Sequence, residues 1–119
     1  MYGLPADHST LSFLIGKEIT QIAIGVYDTQ VHWGTGAISI WSKFRLSLSD
    51  GREIDWMEGQ PRQATELVAL LGARISELGD NSEHLDITFS NGCVLALSDP
   101  NPQFESFSIS ERGRSLIVV

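Results

Sequence analysis

The stretch Lys43-Phe44-Arg45-Leu46-Ser47-Leu48-Ser49-Asp50-Gly51-Arg52-Glu53-Ile54-Asp55-Trp56-Met57 decides how this chain folds. Phe44, Leu46 and Leu48 alternate with Lys43, Arg45 and Ser47, the period-two pattern of a half-buried strand. Asp50-Gly51 interrupts the pattern, and a second run follows over residues 52–57. Asp-Gly between alternating runs predicts a hairpin, read as a type I′ turn with positive φ at both central residues. The signal recurs downstream. Leu85, Ile87 and Phe89 alternate over residues 84–90, Asn91-Gly92 supplies the turn, and residues 93–99 return. Leu48 to Pro61 aligns without gaps on Phe89 to Pro102, and both copies close on acid-x-x-Pro. Convergence of similar hairpins explains this echo, and a pseudo-symmetric sheet is the other reading.

Outward from these hairpins, Ile22, Ile24 and Val26 alternate with Gln21, Ala23 and Gly25, which predicts another strand over residues 19–27. Residues 30–33 and 37–41 read as short strands around Gly34-Thr35-Gly36. Residues 107–110 and 114–119 form a last hairpin around Glu111-Arg112-Gly113, its apolar end entering as a buried strand. Ala64, Leu67, Val68, Leu71, Ile75 and Leu78 recur at helical spacing. Pro61 suits the first turn and Gly79 the C-terminal cap, so the spacing predicts one amphipathic helix over about 61–78. Gly72, inside that span, is tolerable where the helix packs closely on the sheet. Strands do not alternate regularly with helices, so the fold class is α+β. The expected architecture is a mostly antiparallel twisted sheet or half-barrel of hairpins, with the helix packed on one face.

The chain has 119 residues, which suits a single domain over 1–119 with residues 1–12 as a flexible N-terminal segment. The start lacks the basic region and apolar core of a secretory signal, and no apolar run is long enough to span a bilayer. With one cysteine, Cys93, no intrachain disulfide is possible. These features predict a cytoplasmic protein that engages no membrane.

Net charge is −7, the wrong sign for holding phosphates, so a nucleic-acid partner is not expected. Residues 75–111 contain Glu77, Asp80, Glu83, Asp86, Asp99, Glu105 and Glu111 and no Lys or Arg, so the rest of the chain is neutral. A solvated acidic surface explains this, and so does a contact surface for a basic partner.

Recognisable catalytic chemistry is sparse. There is no Gly-x-Ser-x-Gly, no metal-binding Cys-x-x-Cys or His-x-x-x-His, and no P-loop. Asp80-Asn81-Ser82-Glu83-His84 is rich in oxygen but lacks the periodicity of a calcium loop. No cofactor or metal is expected. Cys93 reads as a small buried thiol. His84 and Asp86 share one strand face and could serve acid–base chemistry, though an exposed strand explains them equally. His32 beside Trp33 and Trp41 could form an aromatic platform, or the rings could simply pack. Trp33, Trp41 and Trp56 with Tyr27 are also residue types enriched in binding hot spots.

The run from Leu14 to Trp33, the strand over residues 44–50, and the ending Phe104-Glu105-Ser106-Phe107-Ser108-Ile109 followed by residues 114–119 resemble a family of small bacterial proteins. The family is of the kind found as immunity proteins beside polymorphic and contact-dependent growth inhibition toxins. The resemblance implies a non-enzymatic protein that binds and neutralises the C-terminal domain of a cognate toxin. Such toxins are often nucleases with basic active sites, which carboxylates on an inhibitor can occupy. The resemblance carries over no binding residues; charge and aromatic content make Glu83, Asp86, Asp99, Glu105, Trp33 and Trp41 the candidate partner-binding residues. Two other classes stay open: a small hydrolase or nucleotide-processing enzyme using His84 and Asp86, and a homo-oligomeric structural module.

Overall fold

The computed structural model describes residues 11–26, 28–41, 43–56, 61–80, 84–98, 107–113 and 117–118. Among the described residues ten strands follow one another: β1 Gln21–Ile24, β2 Thr29–His32, β3 Gly36–Ile40, β4 Phe44–Ser47, β5 Glu53–Trp56, β6 Ile75–Asp80, β7 His84–Phe89, β8 Val94–Ser98, β9 Phe107–Glu111 and β10 Ile117–Val118. They form two five-stranded sheets, ordered β1-β2-β3-β9-β10 and β5-β4-β8-β7-β6. Every strand pairing among the described residues is antiparallel. Mostly antiparallel sheet with one long helical segment is therefore as expected, but the strands divide into two sheets in place of the single sheet or half-barrel, and neither closes into a barrel.

The alternation that predicted the hairpins also sets the core. Phe44 and Leu46 of β4, Leu85 and Ile87 of β7, and Leu95 and Leu97 of β8 turn inward and are buried. They join Val31, Ile38, Ile40, Phe107 and Ile109 of the first sheet in a single apolar cluster, with Leu11 and Leu14 from the N-terminal side. Residues 1–10, most of the predicted flexible segment, lie outside the described residues, whereas Leu11 is a core side chain.

The two echoed hairpins lie side by side, joined by the β4–β8 pairing. A step of two strands along the sheet carries β5 onto β8 and β4 onto β7, so the relation is a translation and not a two-fold axis. Their turns share the same hydrogen bonds. Gly51 N–H donates to the Leu48 carbonyl at 3.0 Å and Leu48 N–H to the Arg52 carbonyl at 2.8 Å. The equivalents, Gly92 to Phe89 and Phe89 to Cys93, measure 3.0 and 2.9 Å. Asp50 Oδ1 accepts from Arg52 N–H at 3.0 Å, as Asn91 Oδ1 does from Cys93 N–H at 3.1 Å. The turn type differs from the type I′ expectation. Gly51 and Gly92 have φ of +94° and +91°, while no described non-glycine residue has a positive φ. Each loop is therefore a type I turn followed by a left-handed glycine, the G1 bulge arrangement. Asp50 and Asn91 stay right-handed because their side chains cap a backbone N–H two residues on.

The helix differs in length and winding. It covers Pro61–Leu70 as a 3-10 helix, not 61–78 as an α-helix. At three residues per turn, Ala64, Leu67 and Leu70 align on one edge, and all three are fully buried. Val68 and Leu71, core positions under α spacing, are instead 56% and 47% exposed. The segment ends at Gly72, whose φ of +82° breaks the winding, so Gly79 is not its cap. Ile75 and Leu78 belong to β6, opposite Phe89 and Ile87. The helix packs against β5 and β1.

Residues 16–20 stitch the sheets together along one side. Gly16 N–H donates to the Ile75 carbonyl at 2.7 Å, Ile75 N–H to Lys17 at 2.9 Å, Ile19 N–H to Ala73 at 2.9 Å and Gly72 N–H to Ile19 at 2.8 Å. One residue later, Thr20 N–H donates to the His32 carbonyl at 2.9 Å, so the same stretch passes to β2 of the first sheet.

Candidate functional site

The two sheets present outer faces of different chemistry. On the first sheet, Gln21, Ala23, Gln30, Ser39 and Ser110 share the outward register with His32, and these five side chains carry no ionisable group. His32 Nε2 pairs with Gln30 Oε1 at 2.9 Å, and Gln30 Nε2 donates to Asp28 Oδ2 at 3.1 Å. The outer face of the second sheet carries the charge. One cross-strand row runs Asp55, Arg45, Ala96, Asp86, Gly79, and the next runs Glu53, Ser47, Val94, Thr88, Glu77. Small side chains of β8 form the middle, with acids on both sides.

A bulge brings Glu77 onto this face. Ile75 points inward opposite Phe89, so simple alternation would turn Glu77 inward too. The register shifts between Ile75 and Glu77, placing Glu77 opposite outward-facing Thr88. Ser76, the extra residue, donates its hydroxyl to the Thr88 carbonyl at 3.1 Å.

The two sides of the face differ electrostatically. Toward β5, Arg45 Nε meets Asp55 Oδ1 at 2.8 Å and Arg45 Nη1 lies 3.7 Å from Glu53. The hydrogen bond from Arg45 holds the Asp55 carboxyl below its ordinary range, with a further pull from the charges of Arg45 and Lys43. Toward β6 and β7, Glu77 and Asp86 are exposed and enter no ion pair among the described residues. Among the described residues, that half carries its negative charge without a paired cation.

Glu111, by contrast, is not part of any acidic surface. Its side chain is 6% exposed, at the end of β9. Glu111 Oε2 accepts from Trp33 Nε1 at 2.8 Å and pairs with Lys17 Nζ at 3.0 Å, while Oε1 accepts from Arg112 N–H at 3.0 Å. Hydrogen bonding from Thr35, then from Lys17, Trp33 and the Arg112 backbone, outweighs the burial cost and lowers its carboxyl from 4.5 to about 2. A carboxylate so fully engaged is a poor proton carrier near neutral pH. It ties the stitching segment, the β2–β3 turn and the β9 end together. Gly36, opposite Glu111, lets the strands meet, since a Cβ there would run into the Ser110 carbonyl. Its side-chain partners Lys17, Trp33 and Thr35 come from distant parts of the chain, and no local pattern announces them.

The other residues singled out by sequence fall as follows. Asp86 is exposed on β7, two residues after His84, of which only the backbone is described. Glu83, Asp99 and Glu105 lie outside the described residues. Trp33 is 6% exposed and committed to Glu111, so it offers a partner no free ring face. His32 and Trp33 turn to opposite sides of the strand, which breaks up the proposed aromatic platform. Trp41 is half-buried just after β3. Trp56 is fully buried and stacks on Phe44, with ring centroids 5.2 Å apart. Cys93 is a buried free thiol.

Among the described residues, two buried side-chain polar atoms have no hydrogen-bond partner: Thr29 Oγ1 and Trp56 Nε1. Among the described residues, no group of three or more His, Cys, Asp or Glu side chains is placed to hold a metal ion. No described helix is long and apolar enough to cross a membrane. No protein-family model matches the chain, and no curated protein or solved structure matches it.

Proposed function

We propose that this protein acts by binding another protein: a cytoplasmic immunity protein that neutralises the basic domain of a cognate antibacterial toxin, a nuclease in the simplest case. The observation that carries the reading is the pair Glu77 and Asp86, without a paired cation among the described residues, on the open face of the second sheet beside the small side chains of β8. Opposed charge at such a face steers encounter and fixes register, and small central side chains let a partner approach the backbone closely. The −7 charge of the chain acts in the same direction. The engaged state of Glu111 favours binding over catalysis at that carboxylate.

The contact surface is narrower than the acidic segment as a whole. Glu111 serves the fold, and Trp33 is spent on holding it. Asp86 and Glu77 are the acids to alter first, with half-buried Trp41 as the aromatic candidate. The test is co-expression with the toxin domain encoded beside the gene. The reading expects the two chains to co-purify and growth to be restored. Growth arrest with no complex, in cells that contain the folded protein, would remove it.

A further inference from the structure

We propose that residues 61–71 form a two-state element that exchanges between the observed 3-10 winding and an α-helical one, burying a different set of leucines in each. Three observations meet here. The segment runs ten residues as a 3-10 helix, whereas such runs seldom exceed three or four, and longer ones mark a hinge or a strained sequence. Its composition favours the α form, since Ala64, Glu66, Leu67, Ala69 and Leu70 are all strong α-helix formers. Its apolar residues also satisfy both periods. Positions 64, 67 and 70 serve three residues per turn, and positions 64, 67, 68 and 71 serve 3.6.

The structure shows which set is in use. Leu70 is fully buried, while Val68 and Leu71 stand on a second line of the 3-10 helix in solvent. Rewinding at 100° per residue keeps Ala64 and Leu67 on the core side, brings Leu71 between them and turns Leu70 to the margin. One leucine replaces its neighbour, so the core loses little volume and the two windings lie close in energy. The change also removes Leu71 from the surface. It shortens a ten-residue segment by about 5 Å, from the difference in rise per residue. The bond from Gly72 N–H to the Ile19 carbonyl, 2.8 Å, pins the C-terminal end, so the contraction falls on the N-terminal side. The exchange thus controls how much apolar surface lies beside β1, independently of the acidic face.

Backbone NMR on the full chain tests this. Relaxation dispersion in the wild type is expected at residues 64–72, with the sheet amides flat. Leu71→Glu, harmless in the 3-10 winding and buried in the α winding, should abolish that dispersion and leave the sheets intact. Leu70→Glu should shift the population the other way, giving Hα(i)–HN(i+4) contacts across 64–71. A wild type without dispersion in this segment and with a single 3-10 contact pattern overturns the proposal, whatever Leu70→Glu does. So does dispersion that persists unchanged in Leu71→Glu.

Discussion

Replacing Glu111 with Gln removes one buried charge and leaves the shape nearly intact, so it isolates what the carboxylate contributes. In the folded protein this group titrates at about 2 against an ordinary 4.5. Each unit is worth 1.36 kcal/mol, which puts the gross contribution at about 3 kcal/mol at neutral pH. Lys17 is 33% exposed, and solvent screening of that partner brings the expected loss to about 2 kcal/mol. The pH dependence carries the stronger test. A depressed carboxyl stabilises the fold fully above its unfolded value, and that stabilisation is lost as pH falls from 4.5 toward 2. Urea unfolding of both proteins, followed by tryptophan fluorescence between pH 7 and pH 2.5, reads the difference directly. The other carboxyls titrate in both proteins and drop out of it. The variant should be about 2 kcal/mol weaker at pH 7, and the gap should narrow steadily below pH 4.5. A gap that stays constant across the range would refute the assignment of the effect to an ionised Glu111.

Three further outcomes follow from single positions. Thr29→Val replaces a buried, unpartnered hydroxyl with a methyl and should raise stability by about 1 kcal/mol in urea unfolding; a loss would mean the hydroxyl is satisfied in solution. Leu70→Ala should cost about 2 kcal/mol, the low end for a fully buried leucine because the α winding caps the loss, while Leu71→Ala at the exposed position should cost under about 1 kcal/mol; the reverse order would restore the α register. Gly36→Ala should cost at least about 2 kcal/mol and weaken amide protection on β3 and β9, because its Cβ meets the Ser110 carbonyl; unchanged protection would show that the strands can part without penalty.

The parts of this fold legible in sequence are those decided within a few residues. Asp50-Gly51 and Asn91-Gly92 mark turns because only glycine takes the left-handed position easily, and the flanking alternation chooses the buried face. What misled is equally local. Asp-Gly suits both type I′ and type I with a G1 bulge, and sequence cannot separate them until the φ of Asp50 is known. Ile75 and Leu78 extend the helical spacing by coincidence, whereas Gly72 ends the helix and Phe89 recruits Ile75 into a strand. Leu70 escaped notice because it falls off the 3.6-residue stripe while fitting a three-residue one.

The candidate site was legible in its charge but not in its boundaries. Asp86 faces out as the alternation of β7 requires. Glu77 joins it only through a bulge that no residue type signals, since Ser76 would suit either register. Glu111 reads as one more acid in an acidic stretch, and its burial depends on Lys17, Trp33 and Thr35 arriving from far along the chain. Long-range pairing of this kind leaves no trace in local periodicity. Of the two aromatic readings, packing fits Trp33: adjacent residues of an extended chain face opposite ways, so His32 and buried Trp33 do not form one platform.

The most direct test of the binding account is the affinity of the purified protein for its cognate toxin domain, measured across salt concentrations with Glu77→Gln/Asp86→Asn beside the wild type. Exposed charge pairs are worth about 0.2–1 kcal/mol each, so the double variant should bind roughly 2- to 30-fold more weakly at low salt. Its affinity should also vary less steeply with salt, because two of the screened charges are gone. Equal affinity and an equal salt slope for the two proteins would contradict the claim that this sheet face makes the contact.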